Sequence, residues 1–488
     1  MSPNKPSFYI TTTIPYVNAD PHIGFALELV QSDAIARHQR LLGKEVFFST
    51  GTDEHGQKIW EASQKENKNV QDYVDVYAQK FIDLKDLLNL SNDNFIRTTS
   101  EGHIKATQEM WRLCREKGDI YKKKYKGLYC VGCEKFLTEK DLVDAKCPVH
   151  PTKIPEVVEE ENYFFRLTKY KEQLLQYLSN EKSIIPKWRR EEAVDFVKNS
   201  MEDFSISRNK ERFAWGVDIP EDDEQVMYVW FDALTNYISS LGWPFASAQD
   251  LRPEENLFKK FWEEGETVQT AGKDMVKFQS VMWQGMLMSA GLSVTDTIVY
   301  HGFITGEGGI KMSKSIGNVI NPTDIVKEYG TDALRYFLLR EISPFEDSPF
   351  TMERFKDAYN SGLANGLGNL ASRILTLSEK YLEKCPHIPE KSDFTEYFKF
   401  YDQFELKQAA DFVWNKITEL DQFIQETEPF KVIKIDEAKG KKLIEEMVVH
   451  LYEIARMLNP IMPATNELLK KLIKENKKPE QPLFLRKN

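Results

Sequence analysis

Lys311-Met312-Ser313-Lys314-Ser315 sets two lysines and two hydroxyls into five residues. Such a set does little for a core and suits polyphosphate: ammonium groups supply compact positive charge, and hydroxyls donate to phosphate oxygens. Gly306, Gly308 and Gly309 precede it and Gly317 follows, so the backbone can swing, as a loop closing over a leaving group must. Alone, the stretch reads more readily as a solvated loop. A second site adds weight. Ser7 to Thr13 is rich in aromatic and β-branched residues and predicts a buried first strand. After a turn, Asp20-Pro21-His22-Ile23-Gly24 opens a helical pattern with Leu27, Val30, Ala34 and Leu41 on one face and Gly43 at its end. A helix N-terminus after a strand and turn offers backbone N–H groups and the positive end of the helix dipole to a phosphate. Gly24 leaves the backbone open to a ring or phosphate, and His22 adds a donor.

A third cluster has metal-ligand spacing. Cys130 and Cys133 form C-x2-C, thirteen residues intervene, and Cys147 and His150 form C-x2-H. Two short-spaced pairs let two tight turns present four ligands tetrahedrally, which suits a structural Zn²⁺ with no open position for catalysis. A disulfide is disfavoured in a reducing cytosol, and a redox C-x2-C pair leaves the second pair without purpose. Cys114 and Cys385 stand alone.

These groups need a scaffold. Strand patterns at Ser7–Thr13, Glu45–Ser49, near Thr267–Ala271 and near Thr297–Gly302 alternate with helical ones, predicting an α/β, Rossmann-type parallel sheet. A helical pattern spans Asp324 to Arg340. Beyond it, Tyr359–Tyr381, Phe404–Glu426 and Ala438–Met457 show apolar spacing near 3.6 and suggest an antiparallel bundle. Within the first of these, Asn369 and Arg373 share a face, where an amide and a guanidinium can hydrogen-bond to unpaired bases.

The Pro-His-Ile-Gly turn after the first strand and the Lys-Met-Ser-Lys-Ser loop far downstream together resemble the two signature motifs of class I aminoacyl-tRNA synthetases. Ile14-Pro15-Tyr16, Gly51-Thr52-Asp53-Glu54-His55-Gly56, Tyr228-Val229-Trp230-Phe231-Asp232-Ala233 and Gly272-Lys273-Asp274 are similar to blocks of the methionyl-tRNA synthetases, and the resemblance covers essentially the whole chain. It implies a catalytic nucleotide-binding domain in two halves, 1–116 and 226–320, the second ending in the lysine loop. A connective peptide carrying the zinc knuckle would occupy 117–225, a stem-contact linking module 321–358 and a helical anticodon-binding domain 359–488. The insertion is much shorter than the editing domains of the similar leucyl, isoleucyl and valyl enzymes. No further C-terminal domain of the dimerising kind is appended, so a monomer is expected.

By the same resemblance, L-methionine attacks the α-phosphorus of ATP, and methionine then passes to the 3′-terminal adenosine of tRNA(Met). His22 and Gly24 would contact ATP, Lys314 with Lys311 would steady the leaving pyrophosphate, and Gly272 and Asp274 would face the ribose. Asp53 would pair with the substrate ammonium, and Ile14, Tyr16, Trp230, Ala233, Tyr237, Met275 and Gln279 would line the side-chain pocket. Aromatic walls suit a polarizable thioether. Asn369, Arg373 and Phe430 would read the anticodon. Mg²⁺ would arrive with ATP. Three positions depart from the family pattern: Phe25 replaces a second histidine of the turn, Gln279 a histidine of the methionine pocket, and Phe430 a tryptophan that stacks on the anticodon.

The bulk properties fit. At 488 residues the chain implies two to four domains, and 41% hydrophobic with 29% charged residues is ordinary for a globular protein. Neither a targeting pattern at Met1 to Ile10 nor a long uncharged apolar run is present, so no membrane span and a cytoplasmic location are expected. A net charge of −11 opposes phosphate binding on average, yet Lys122-Lys123-Lys124, Lys431 to Lys442 and Lys470 to Lys478 form local basic tracks. Three other readings fit the sequence less well. A non-catalytic tRNA-binding paralogue has little need of the lysine loop or Asp53. A small-molecule nucleotidyltransferase predicts no helical anticodon domain, and a cysteine-specific enzyme predicts zinc ligands in the substrate pocket.

Overall fold

The computed structural model describes residues 6–130, 135–137, 142–148, 154–211, 214–244, 256–310, 312, 319–390 and 393–487. The chain divides into two compact units, each made of separate segments. The first takes Met1–Pro21, Lys44–Asp83 and Asn92–Tyr300; the second takes His22–Gly43, Leu84–Ser91 and His301–Asn488.

A six-stranded sheet organises the first unit, in the order Asn94–Arg97, Glu45–Thr52, Ser7–Thr11, Glu266–Gly272, Thr297–His301, Ile184–Ile185. Ser7–Thr11 pairs in parallel with both neighbours. Its five residues are buried throughout, as a parallel strand covered on both faces requires. The chain lays its early strands to one side of Ser7–Thr11 and its later ones to the other, so the strand order reverses there. In open α/β sheets ligands bind beyond the carboxyl ends of strands at such a point. Close strand approach is enforced at Gly51, where a Cβ would stand 2.0 Å from the carbonyl oxygen of Ile96 on the adjacent strand. The expected strands are all present. Glu45–Thr52 runs three residues past the expected end at Ser49.

Between the two halves of the sheet, Ile120–Cys130 and Glu156–Phe165 form a long antiparallel ribbon. The basic Lys122-Lys123-Lys124 run lies there, and Lys124 stands opposite Glu161 and Lys126 opposite Glu159. The ribbon therefore neutralises much of its own charge. Asp222–Met227 joins a separate three-stranded sheet before the chain turns into the helix Val229–Leu234.

The second unit is helical. The pattern expected as one helix from Asp324 to Arg340 is split: Pro322–Tyr329 ends at Gly330, whose φ of 87° only glycine adopts readily, and Thr331–Tyr336 follows as a separate helix. The bundle follows as Tyr359–Gly368, Asn369–Tyr381, Leu406–Thr427, Pro429–Ile435, Glu437–Met457 and Pro463–Glu475. No described helix is long and apolar enough to cross a membrane.

Candidate active site

In the first unit, three adjacent parallel strands deliver the expected site residues at their carboxyl ends. Ser7–Thr11 leads to Ile14 and Tyr16, Glu45–Thr52 to Asp53, and Glu266–Gly272 to Asp274 and Met275. Tyr16 and Asp53 are joined by a β-bridge, with Asp53 N–H donating to Pro15 O (2.9 Å) and Val17 N–H to Asp53 O (3.3 Å). The Asp53 segment is thus stitched to the segment after the first strand, and Asp53 is 3% exposed. Lys58 sits over the Tyr16 ring at 5.4 Å.

The two residues after Asp53 are anchors. Glu54, fully buried, accepts from Arg97 through both oxygens (2.7 and 2.9 Å) and from the hydroxyls of Thr52 and Thr99. His55 Nδ1 donates to Asp232 (2.7 Å), two residues beyond Trp230. Neither anchor was singled out from the sequence. The available signal was an aspartate inside the apolar run Trp230-Phe231-Asp232-Ala233-Leu234, which demands a buried polar partner.

The pocket residues of this unit gather around aromatic rings. Trp230 stacks on Phe278 with centroids 3.8 Å apart and planes at 17°. Tyr237, 2% exposed, packs against Trp283 at 5.7 Å, and its carbonyl accepts from the Tyr9 hydroxyl. Ala233 is buried, Met275 half-buried. Gln279 lies in a π-helical turn, Phe278–Met282, a distortion that often marks functional positions. It is fully buried, and among the described residues neither its amide nitrogen nor its amide oxygen has a partner, nor does the indole nitrogen of Trp230. Buried polar atoms of that kind are costly, and a site that receives a polar ligand is one reason to keep them. Gly272 is buried and Asp274 exposed, where the strand ends.

In the second unit, His22 caps the helix Ile23–Leu41. Its Nδ1 accepts from Gly24 N–H at 3.1 Å, which puts the ring proton on Nε2. A Cβ at Gly24 would stand 3.0 Å from His22 Cε1, so glycine there keeps the imidazole seated on the backbone. Phe25 follows, half-buried. Ile23 N–H donates to Ile320 O (3.1 Å), tying the start of this helix to the chain just after the lysine loop. Lys311 and Lys314 lie outside the described residues.

The candidate anticodon residues share the second unit's bundle. Asn369 is exposed at the start of Asn369–Tyr381, and Phe430 is 40% exposed on Pro429–Ile435. Arg373, one turn after Asn369, is held by Asp421 at 2.5 Å, and Gln425 donates to the other oxygen of that carboxylate.

Of the metal candidates, Cys130 ends the long ribbon strand, and Cys147 follows a tight turn in which Val143 and Lys146 exchange backbone hydrogen bonds. Both are 1% exposed and share one small buried cluster with Leu137. Two thiols buried together at a hairpin end and a tight turn fit half of a Cys3His zinc set. Cys133 and His150 lie outside the described residues. Among the described residues no three His, Cys, Asp or Glu side chains gather to hold a metal.

Residues 8–153 and 139–375 match the sequence family described as tRNA synthetases class I (M). The methionine–tRNA ligase of Thermotoga maritima is 39% identical over 496 residues, spanning 97% of this chain and 76% of the relative. That of Rhizobium meliloti is 38% identical, spanning 93% and 89%. Among solved structures, the Mycobacterium tuberculosis methionyl-tRNA synthetase in complex with methionyl-adenylate superposes with a TM-score of 0.88 at 34% identity, over 95% of this chain and 93% of that one. Fold, paired motifs and relatives agree, and the chain belongs to the methionine–tRNA ligases of the class I aminoacyl-tRNA synthetases.

Proposed function

We propose that this protein activates L-methionine with ATP to methionyl-adenylate and pyrophosphate, then transfers the methionyl group to the 3′-terminal adenosine of tRNA(Met). The observation that carries this reading is the convergence of Tyr16, Asp53, Asp274 and Met275 on the carboxyl ends of three neighbouring strands, where the strand order reverses. The solved relative described as holding methionyl-adenylate supports it.

The chemistry needs no protein nucleophile. The methionine carboxylate attacks the α-phosphorus, pyrophosphate leaves, and a ribose hydroxyl then displaces AMP from the mixed anhydride. The protein must align two anions and stabilise charge on the departing phosphates. Asp53 binds the substrate ammonium, while Ile14, Tyr16, Trp230, Ala233, Tyr237 and Met275 wall the side chain. The Gln279 amide offers the thioether a donor. His22 holds its Nε2 proton toward ATP beside the N–H groups at the helix start, with Gly24, Gly272 and Asp274 lining the nucleotide's path. Lys311 and Lys314 neutralise the leaving pyrophosphate, and Mg²⁺ arrives bound to ATP. Asn369, Arg373 and Phe430 read the anticodon, Phe430 stacking with less area than a tryptophan has. Zinc, held by Cys130, Cys133, Cys147 and His150, braces the insertion. The enzyme works in the cytosol.

The test is amino-acid-dependent exchange of pyrophosphate into ATP without tRNA, across all twenty amino acids. Exchange with methionine alone is expected. Exchange with another amino acid moves the pocket assignment, and no exchange from folded, zinc-loaded protein favours a non-catalytic tRNA-binding paralogue.

A further inference from the structure

Asp232 is fully buried, and its carboxylate is held from two sides. His55 Nδ1 donates to one oxygen at 2.7 Å; His103 Nε2 donates to the other at 2.9 Å, joined by the Thr107 hydroxyl at 3.3 Å. The His103 tautomer is fixed in turn, because the Ser239 hydroxyl lies 2.8 Å from Nδ1 and can donate to it. His55 packs edge-on against Trp215, whose indole N–H donates to the carbonyl of Glu54. His55 and His103 are 5% and 1% exposed. Burial alone would push the Asp232 carboxyl up, but the attraction of His55 and the hydrogen bonds from both imidazoles outweigh it and hold the group well below the usual carboxylate range.

An ionised carboxylate in a dry interior is costly to maintain unless its position matters, and this one ties the segment after Asp53 to the short helix that carries Trp230. His55 is two residues from Asp53. Asp232 is two residues from Trp230 and adjacent to Ala233, on the short helix Val229–Leu234. A helix of six residues has little rigidity of its own, so its placement must come from outside. The sixteen-residue helix Glu101–Glu116 supplies it, through the apolar contact of Trp111 with Phe231 and through the polar contact of His103 with Asp232.

We propose that the His55–Asp232–His103 bridge is a positioning device that sets the separation between the ammonium-binding carboxylate of Asp53 and the side-chain walls Trp230 and Ala233, and so fixes the amino-acid length the site accepts. The inference rests on the reading of Asp53, Trp230 and Ala233 as the methionine pocket. It assigns Asp232, His55 and His103 to specificity without contact to substrate.

The experiment is pyrophosphate exchange by the full-length enzyme carrying Asp232→Asn, with KM measured separately for methionine and for ATP. Norleucine and ethionine serve as isosteric and longer probes. A rise in the methionine KM of about tenfold or more, as sub-ångström misplacement of binding groups produces, is expected. The ATP KM should stay within about twofold, and the preference for methionine over ethionine should narrow. Unchanged values, or equal shifts for methionine and ATP, overturn the proposal. If Asp232→Asn does not fold, His103→Gln and His103→Leu decide: glutamine retains a donor toward Asp232 and should keep the methionine KM near wild type, whereas leucine should raise it, and equal behaviour of the two overturns the bridge. Asp53→Ala, run in parallel, separates the layers. If it leaves the methionine KM untouched, the pocket reading itself fails; a failure confined to Asp232 and His103 removes only the bridge.

Discussion

Gln279 bears directly on how a binding site is stored in a folded chain. Its side chain is fully buried and neither amide atom has a partner among the described residues, an arrangement that costs about 1–3 kcal/mol against an apolar side chain of similar size. Replacing it by leucine removes that penalty and the donor to the thioether together. Gln279→Leu should therefore raise the chemical-denaturation midpoint, by up to about 1–3 kcal/mol in stability, while raising the methionine KM several-fold. A variant that loses stability, or that binds methionine as before, contradicts this account. The position itself was legible from the resemblance; the unpartnered amide was not, since hydrogen-bond satisfaction is a property of neighbours that the sequence does not name. The same holds for the Glu54–Arg97 and His55–Asp232 anchors, whose partners lie 43 and 177 residues away. Asp53 was readable because its motif is contiguous, and its supports were not because theirs is three-dimensional.

At the scale of elements, a buried ionic knot explains why the second unit collects three separate stretches of chain. Asp33, on the helix Ile23–Leu41, pairs with Arg335 at 2.7 Å with both side chains fully buried, and also accepts from Arg37 and from the backbone and hydroxyl of Ser91. Arg335, on Thr331–Tyr336, further donates to the carbonyls of Leu88, Pro460 and Ile461. One guanidinium thus joins the helix capped by His22, the segment Leu84–Ser91 and the loop before Pro463–Glu475. Arg335→Leu leaves the Asp33 charge buried without its main partner and should destabilise the protein by about 3–5 kcal/mol, and Asp33→Asn added to it should recover part of the loss. Burial pushes the Asp33 carboxyl up, but Arg335 and Arg37 pull it below its ordinary value. A depressed carboxyl contributes stability that is present above about pH 4 and lost as pH falls through its folded pKa. Denaturation midpoints should then fall more steeply below about pH 4 in the wild type than in Asp33→Asn/Arg335→Leu; parallel acid limbs would remove the knot from this role. Periodicity read the helices of this unit well and missed the break at Gly330, where the Tyr-Gly-Thr sequence carried a helix-stop signal inside an otherwise continuous apolar stripe.

For the whole molecule, buried apolar surface is unequally shared, and that predicts where a metal matters. A large cluster that includes Tyr9, Trp111, Phe231, Trp283 and Tyr300 packs about the six-stranded sheet. The tip of the insertion has a separate cluster in which Cys130, Leu137 and Cys147 are the buried members, with Leu128 and Leu142 against them. Val143, Ile154 and Val157 of the same insertion are 61%, 77% and 67% exposed, so local burial is slight. So small a cluster does not offset the chain entropy of ordering a hairpin and turn, whereas structural zinc contributes on the order of 10 kcal/mol in small knuckles. Stripping zinc with a chelator should release one equivalent of metal and open the tip to proteolysis between Cys130 and Glu156. The main unfolding transition should move little, because the large cluster does not include the tip. Methionine-dependent pyrophosphate exchange should survive better than tRNA charging if the tip's order serves the tRNA rather than the pocket. Cys147→Ala should reproduce the cleavage pattern without chelator. Metal retained by that variant would remove Cys147 from the ligand set, and a chelated protein whose tip stays protected would show that the knuckle holds itself together without zinc.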